Sequence, residues 1–434
     1  MNFSKVDSRI VALAMAQLAD AVANSFLIVV MPLYIADPQI GGATFGLSDA
    51  AITGIILSAF GLTNFIVQPL AGRLSDRLGK RKIFIFSGLL LIAGFNVSYL
   101  LADNYLGILV IRIMQAASAA LTIVGSIALV SELSPKDALG QNMGVYNSFR
   151  QVGFGAGPLL AGALISGGPY ALFGGFEVTG FELSFYGAGI AGIISATMVG
   201  ILVQDPENIE PANREESGIR VFAERPGQWL DPIFTLGLAS LFMASCIALF
   251  SPIETIVNEH LGQGSFLFGV EFAAFIGTQA LIQPFIGGFS DTYGHRRFIV
   301  LGLIGLVPAT IIQGLVATPG QMIAIRLVQG LSAAMVFAPA LALASDMTEE
   351  GKSGSQLSIL TVSFALGISF GQFVSGFLVQ FGYFVPFGAG ALFAAIAAVL
   401  VYTQVDDDSK SRNINQDRAP EKFTSVEPDT LESS

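Results

Sequence analysis

The chain has 434 residues, of which 53% are hydrophobic and only 12% are charged. Ordinary soluble domains carry roughly 25% charged residues, so this composition excludes a water-soluble protein and favours a membrane protein. The single cysteine, Cys246, excludes an internal disulfide, and two histidines are too few for most metal sites.

Twelve apolar stretches follow one another along the chain, each with about the 20 residues that a helix needs to cross the hydrocarbon core. They lie at 10–36, 48–71, 83–102, 105–131, 143–166, 183–203, 231–256, 267–288, 298–317, 320–345, 355–380 and 383–403. The first stretch is too long for a signal-peptide core and lacks a convincing cleavage site, so we expect it to be retained. The sequence therefore predicts an all-α integral membrane protein of twelve transmembrane helices.

The basic residues predict the orientation of these helices. Nineteen of the 21 Lys and Arg residues, with Lys136 and Arg150 among them, are assigned to segments on one side of the membrane. The loops on the other side hold acids such as Asp37 and Asp103, and no basic residue. Because basic loops face the cytoplasm, we expect a multi-pass cell-membrane protein with both termini cytoplasmic.

Two charges inside the first half of the membrane domain are candidates for proton coupling. Asp20 lies about ten residues into helix 1, roughly 15 Å along it, and a carboxyl group buried at that depth can bind and release a proton. Arg112 lies inside helix 4 and needs a partner or a wet cavity, for which Asp20 is the candidate. The alternatives are a structural hydrogen bond between Asp20 and Asn24, and structural pinning of helices by Arg112.

The second half of the chain repeats the first. Gln68-Pro69 recurs as Gln283-Pro284, and GRLSDRLGKRK aligns with GGFSDTYGHRR at the same offset of 215, which pairs Arg81 with Arg296. The offset becomes 214 where Arg112-x-x-Gln115 recurs as Arg326-x-x-Gln329. Such agreement indicates a duplicated six-helix unit.

The duplication predicts the domain organisation. We expect one six-helix bundle at 1–203 and a second at 231–403, joined by a cytoplasmic linker at 204–230. The polar, acidic tail at 404–434 has too little apolar surface to fold, so we expect it to be disordered.

These motifs resemble the major facilitator superfamily over nearly the whole chain. The pattern G-x-L-a-D-r-x-G-r-k between helices 2 and 3 is highly specific for that family, and the chain shows it twice. The resemblance implies two pseudo-symmetric bundles around a central cavity that opens alternately to each side of the membrane.

The resemblance also implies a gate at the cytoplasmic ends of the bundles, in which Asp76 faces a helix N-terminus of the other half. The expected gate residues are Gly72, Asp76, Gly79, Lys80, Arg81 and Glu132 in the first half, and Asp291, His295, Arg296 and Asp346 in the second. His295 stands where the family has a base, which predicts a weaker or pH-sensitive second latch. The alternative is that these charges only set topology and solvate a loop.

Helix 5 resembles the G-x-x-x-G-P-x-x-G-G motif of the family's antiporters, with Ala161 in place of one glycine. The motif residues are Gly153, Gly157, Pro158 and Gly162. Its glycines permit close helix contact and its proline frees a backbone carbonyl, so a stiff helix 5 would limit leak and favour exchange. Ordinary small-residue packing is the alternative.

The remaining polar residues of the membrane helices predict the substrate cavity. The expected cavity residues are Asn24, Gln115, Arg326 and Gln329. Further side chains that either line the cavity or only pack are Tyr34, Asn64, Gln68, Tyr146, Gln279, Gln283, Gln313 and Phe364. Glu254 and Glu271 are expected near the outer surface as solvated carboxylates. Since helix 7 has no acid equivalent to Asp20, coupling is expected mainly in the first half.

No enzyme motif is present. Gly-Lys-Ser at 351–353 matches the end of a phosphate-binding loop, but position 346 is an aspartate where such a loop requires glycine. We expect no cofactor, metal or nucleic-acid partner, and a monomer that meets lipid, protons and a small solute. The sequence favours a secondary transporter of the drug/proton antiporter branch that exports small, amphipathic or drug-like molecules. A proton-coupled importer of a sugar, an organic acid or another metabolite stays open as the alternative.

Overall fold

The computed structural model describes residues 8–135, 138–171, 177–205, 221–223, 228–347 and 353–406. Twelve long helices account for most of these residues. In the first half they are α1 (Ser8–Ile35), α2 (Asp49–Leu78), α3 (Arg81–Ser98), α4 (Tyr105–Leu133), α5 (Leu139–Gly167) and α6 (Gly180–Leu202). In the second half they are α7 (Pro232–Ala248), α8 (Ser265–Tyr293), α9 (His295–Gln313), α10 (Pro319–Asp346), α11 (Ser353–Leu378) and α12 (Val385–Gln404).

Short elements extend or connect these helices. After α7, the chain continues through a 3-10 turn at Ser251–Ile253 and a short helix at Glu254–Leu261, which together form the α7 extension. Between α5 and α6, β1 (Tyr170–Ala171) pairs antiparallel with β2 (Glu177–Val178). The α7 extension ends at Leu261, five residues beyond the predicted helix 7.

Side-chain caps begin several helices where the apolar runs start. Asn104 accepts from the Gly107 backbone N–H at 2.8 Å at the start of α4, and Thr179 forms a capping box with Glu182 at the start of α6. Such caps satisfy backbone N–H groups that have no partner inside the helix. Eleven helices of the described chain are long and apolar enough to cross a membrane. The twelfth, α5, has a polar first half.

The two halves pack their helices in the same pairs. In the first half, α1 packs on α5 and α6, α2 on α4, and α3 on α4 and α6. The second half repeats this arrangement: α7 packs on α11 and α12, α8 on α10, and α9 on α10 and α12. The internal repeat in the sequence is therefore a repeat of packing as well.

The halves meet along two helix pairs, α2 with α11 and α5 with α8. At the predicted external ends, Gly376 on α11 meets the backbone of Ala50 on α2, and Gly162 on α5 meets the backbone of Ser265 on α8. A single apolar core there contains residues of both halves, including Val30 on α1 and Val257 on the α7 extension. The described structure is therefore closed at its predicted external end.

Part of the predicted organisation lies outside the described residues. These are most of the linker at 204–230 and nearly all of the tail at 404–434. Gln404 itself ends α12, and its side-chain oxygen accepts from the backbone N–H groups of Trp229 and Leu230. Arg150, assigned above to a cytoplasmic segment, lies inside α5 instead.

Candidate functional site

Asp20 lies within α1 and is 4% exposed. The side-chain amide of Asn24 donates to its carboxylate at 3.0 Å and to its backbone carbonyl at 3.1 Å. Among the described residues, no basic side chain forms an ion pair with it. A carboxyl group held by one neutral amide can change its protonation state without breaking an ion pair.

Arg112 does not pair with Asp20 in the structure, although Asp20 was its candidate partner in the sequence. Its guanidinium donates to Gln115 at 2.7 Å and lies 4.4 Å from the centroid of the Phe60 ring. Gln115 donates in turn to Asn96 at 2.7 Å. Within the described chain, the partners of this buried cation are therefore neutral.

Arg326 repeats the arginine–glutamine geometry in the second half. It is fully buried and donates to Gln329 at 2.7 Å, the same distance as between Arg112 and Gln115. Three aromatic rings surround its guanidinium, at 4.5, 4.8 and 4.9 Å from the ring centroids of Phe250, Phe272 and Phe275. Its Nε also donates to the backbone carbonyl of Glu271 at 3.4 Å.

The expected solvation of Glu254 and Glu271 was wrong. Both residues are 0% exposed rather than solvated at the outer surface. The reason is that α7 continues past its apolar run into the helix Glu254–Leu261, which packs against α1 and α8 and covers both carboxylates. Arg326 was the signal that could have found them, because a nearby acid stabilises a buried guanidinium and Glu271 lies inside the predicted helix 8.

The first gate motif forms a compact ion cluster. Arg81 is 3% exposed at its side chain and bonds Asp76 at 2.7 Å and Glu132 at 2.9 Å. Gly79 lies between α2 and α3 with φ +61°, a left-handed conformation that glycine adopts without strain. Gly72 is buried in α2, while Lys80 is exposed in the turn.

The second gate motif places a histidine where the first has an arginine. His295 Nε2 lies 3.4 Å from Asp346 and 3.8 Å from Asp291, and its Nδ1 lies 3.1 Å from the Ser290 hydroxyl. The alignment of Arg81 with Arg296 is therefore corrected. One residue, Gly294, separates α8 from α9, whereas two separate α2 from α3. Arg296 instead donates to the backbone carbonyl of Tyr402.

The ion-pair contacts of Arg81 and His295 in the described structure lie within their own halves. Among the described residues, Arg81 forms ion pairs with acids of α2 and α4, and His295 lies beside acids of α8 and α10. The expected contact of Asp76 with a helix N-terminus of the other half stays a prediction about another conformation.

The helix 5 motif contacts both halves. Gly153 and Gly157 lie against the α1 backbone at Leu18 and Val22, where a Cβ would approach carbonyl oxygens to 2.5 and 2.7 Å. Further along α5, the carbonyl of Pro158 faces Gly269 on α8. The motif therefore holds α5 between α1 and α8.

Several of the further side chains that were expected either to line the cavity or to pack bond to neighbouring side chains. Gln68 donates to Asn64 at 3.3 Å, and Tyr146 donates to Gln17 at 2.5 Å. Across the halves, Gln151 on α5 donates to Gln283 on α8 at 3.1 Å. This last contact is a direct polar bridge between the two bundles.

A family model for the Major Facilitator Superfamily matches residues 13–255 and 236–428. The chain belongs to the major facilitator superfamily. Membership confirms the recognition made from the motifs and the twelve-helix fold class. It also identifies a multi-pass membrane transporter of a small-molecule substrate rather than an enzyme.

The relatives of this facilitator include an uncharacterised MFS-type transporter of Methanocaldococcus jannaschii, 23% identical over 374 residues, 84% of this chain and 91% of that protein. The quinolone resistance protein NorA of Staphylococcus aureus is 28% identical over 181 residues, 42% of this chain and 41% of that protein. The chain thus matches less than half the length of NorA.

Solved structures share the fold. A bacterial homologue of the human lysosomal transporter Spinster, in an inward-facing and occupied conformation, superimposes with a TM-score of 0.72 at 17% identity, over 94% of this chain and 97% of that one. The peptide transporter POT in complex with alafosfalin gives a TM-score of 0.72 at 13% identity, with the same coverage.

Proposed function

We propose that this facilitator is a secondary active transporter that exports small, amphipathic molecules in exchange for protons. The observation that carries the proposal is Asp20, a buried carboxyl group in α1 that has a neutral hydrogen-bond partner and no described counter-cation. Such a group can alternate between charged and neutral forms as the site faces each side of the membrane.

The packing of α5 supports exchange rather than leak. Its glycines seat it against α1, and Pro158 and Gly162 seat it against α8 of the other half. Close backbone contact on both sides leaves little room for an uncoupled path along this helix. The similarity to a quinolone resistance protein over 181 residues supports an amphipathic substrate.

The transport cycle we propose is alternating access by a monomer in the cell membrane, with both termini cytoplasmic. The closed predicted external end then corresponds to a state whose site is reached from the cytoplasm. The Asp76–Arg81–Glu132 and Asp291–His295–Asp346 clusters brace the cytoplasmic end of each bundle, and they meet the other bundle when that end closes.

Everted membrane vesicles test the direction and the coupling together. With the lumen made acidic, an exporter that exchanges protons concentrates a fluorescent quinolone inside the vesicles. Accumulation instead in right-side-out vesicles under an inward proton gradient overturns export and assigns an importer.

Asp20→Asn tests the residue that carries the proposal. The variant keeps the shape of the side chain but cannot carry a proton, so we expect it to insert normally and to lose gradient-driven accumulation. The matched control is Asp103→Asn, at an exposed acid of a predicted external loop. Undiminished proton-driven uptake in Asp20→Asn removes Asp20 from the mechanism.

A further inference from the structure

A second acidic site lies in the half of the molecule that lacks Asp20. Glu254 and Glu271 are both 0% exposed, and in the described structure none of their four carboxylate oxygens meets hydrogen-bond geometry, although the amides of Asn258 and Gln263 lie beside them. Nearby, Nη2 of Arg326 and Nε2 of Gln329 are also buried without a partner. Four buried polar side chains in this region therefore each have at least one side-chain donor or acceptor atom without a hydrogen-bond partner.

The walls of this site are apolar. Phe250 and Phe272 stack over the Arg326 guanidinium, and Phe268 packs on Phe250 at 4.7 Å between ring centroids. Ionised carboxylates are costly in such surroundings unless a positive charge balances them. The two glutamates therefore need compensation from within the site.

The described residues supply one cation for two acids. Arg326 faces Glu271 from α10, and Glu254 and Glu271 lie within electrostatic range of each other. The other titratable groups around the pair are Tyr383, which faces Glu271 from the turn before α12, and the exposed Glu259 and His260 of the α7 extension. With Arg326 charged and both acids ionised, the trio carries one excess negative charge, which a single added proton neutralises.

Polar side chains lead from this trio toward the predicted external surface. Asn258 lies beside Glu254 and Gln263 beside Glu271, and these two amides bond each other at 3.2 Å. Further out, the ring of Tyr383 stacks on exposed His260 at 4.0 Å between centroids. Water that enters past these polar side chains when the external end opens can bring protons to the glutamates.

We propose that Glu254 and Glu271 form a second proton-binding site, separate from Asp20, at the external end of the second half. One proton from external water binds one carboxylate oxygen and forms a carboxylic acid O–H, and no other bond changes. The described residues hold no group of three or more acidic, histidine or cysteine side chains that could bind a metal ion, which favours the proton. The place of this site in transport rests on the proton exchange proposed above, whereas proton binding itself does not.

Infrared difference spectroscopy of the full-length protein in liposomes tests this site without a transported solute. Spectra are recorded between alkaline and acidic buffers, and the C=O stretch of protonated carboxyl groups is followed. We expect a band that is lost in Glu254→Gln/Glu271→Gln and persists in Asp20→Asn. Each single glutamine variant keeps one acid, so its band shifts or weakens.

The controls separate this site from other carboxyl groups and from a metal site. Glu259→Gln, on the same short helix but exposed, leaves the band unchanged if the assignment is correct. An unchanged spectrum in the double variant overturns the proposal. So does a band removed at constant pH by replacing choline chloride with sodium chloride, because sodium then occupies the site. If the band behaves as expected but vesicles show no proton-driven accumulation, the exporter proposal fails and this site stands.

Discussion

The two halves of this facilitator share their backbone architecture and differ in the charges they bury. Arg112 and Arg326 each bond the glutamine three residues on at 2.7 Å. Around Arg112 the described partners are neutral, whereas Arg326 lies beside buried Glu271, which is within electrostatic range of buried Glu254. Asp20, in contrast, aligns with Phe234 at the offset of 214.

This difference shows which features a duplicated fold must keep. Helix packing depends on backbone approach, so the glycines of α5 at 153 and 157 recur in α11 at 367 and 371, where they also contact backbone. Buried charge depends only on local compensation. It can therefore diverge between the halves without disturbing the shared framework.

The largest effect we expect comes from removing the cation of the second half. Arg326→Gln leaves Glu254 and Glu271 without a described counter-cation, which destabilises the fold by about 3–5 kcal/mol. Arg112→Gln removes a cation that has neutral partners, so its loss is smaller, about 1–3 kcal/mol. Thermal unfolding of the purified variants in detergent measures both.

A double variant checks the cause of that loss. Arg326→Gln/Glu271→Gln removes one cation and one acid together, so it should recover a large part of the stability that Arg326→Gln loses. Equal losses in Arg112→Gln and Arg326→Gln, with no recovery in the double variant, would show that the glutamate pair does not depend on Arg326.

The helix positions could be predicted from sequence because the bilayer sets their length. Each of the twelve predicted stretches overlaps one observed helix, since about 20 apolar residues are needed whatever the tertiary fold. The arginine–glutamine pairs could also be predicted, because residues three apart share a helix face.

The burial of the glutamates could not be predicted in this way. Glu254 lies near the end of the predicted stretch 231–256, and only tertiary packing of the extension Glu254–Leu261 against α1 and α8 covers it. The sequence placed His295 in the second gate but missed its equivalence to Arg81, for a different reason. Matching identical residues aligned Arg81 with Arg296, whereas the shorter turn at Gly294 brings His295 to the acids.

Matched glycines test whether the two halves really share their packing. Gly153→Ala brings a Cβ to 2.5 Å from the Leu18 carbonyl, and Gly367→Ala brings one against the Leu241 carbonyl. Because helix backbones must separate in both, we expect similar losses of about 1–3 kcal/mol. Unfolding midpoints of the two variants should fall together.

The control for this pair is Gly94→Ala, where no atom lies within 4 Å of an added Cβ. It should change stability by at most about 1 kcal/mol, in the stabilising direction expected for alanine in a helix. A large loss in only one of Gly153→Ala and Gly367→Ala would mean that the halves differ in packing as well as in charge.

The smallest contrast lies in the acids of the two gate motifs. Asp76 is 22% exposed and bonds a buried arginine, whereas Asp291 is 70% exposed and lies 3.8 Å from a histidine. Asp76→Asn weakens a charge-assisted bond and should cost about 1 kcal/mol, while Asp291→Asn should stay within about 0.5 kcal/mol. Thermal unfolding in low and high salt separates the two, because solvent and salt screen the exposed pair more strongly.

Replacing His295 with arginine should raise the cost of Asp291→Asn toward that of Asp76→Asn, since a permanent charge then faces the acid. If the cost does not rise, the turn geometry at Gly294, rather than the histidine, keeps the second cluster weak.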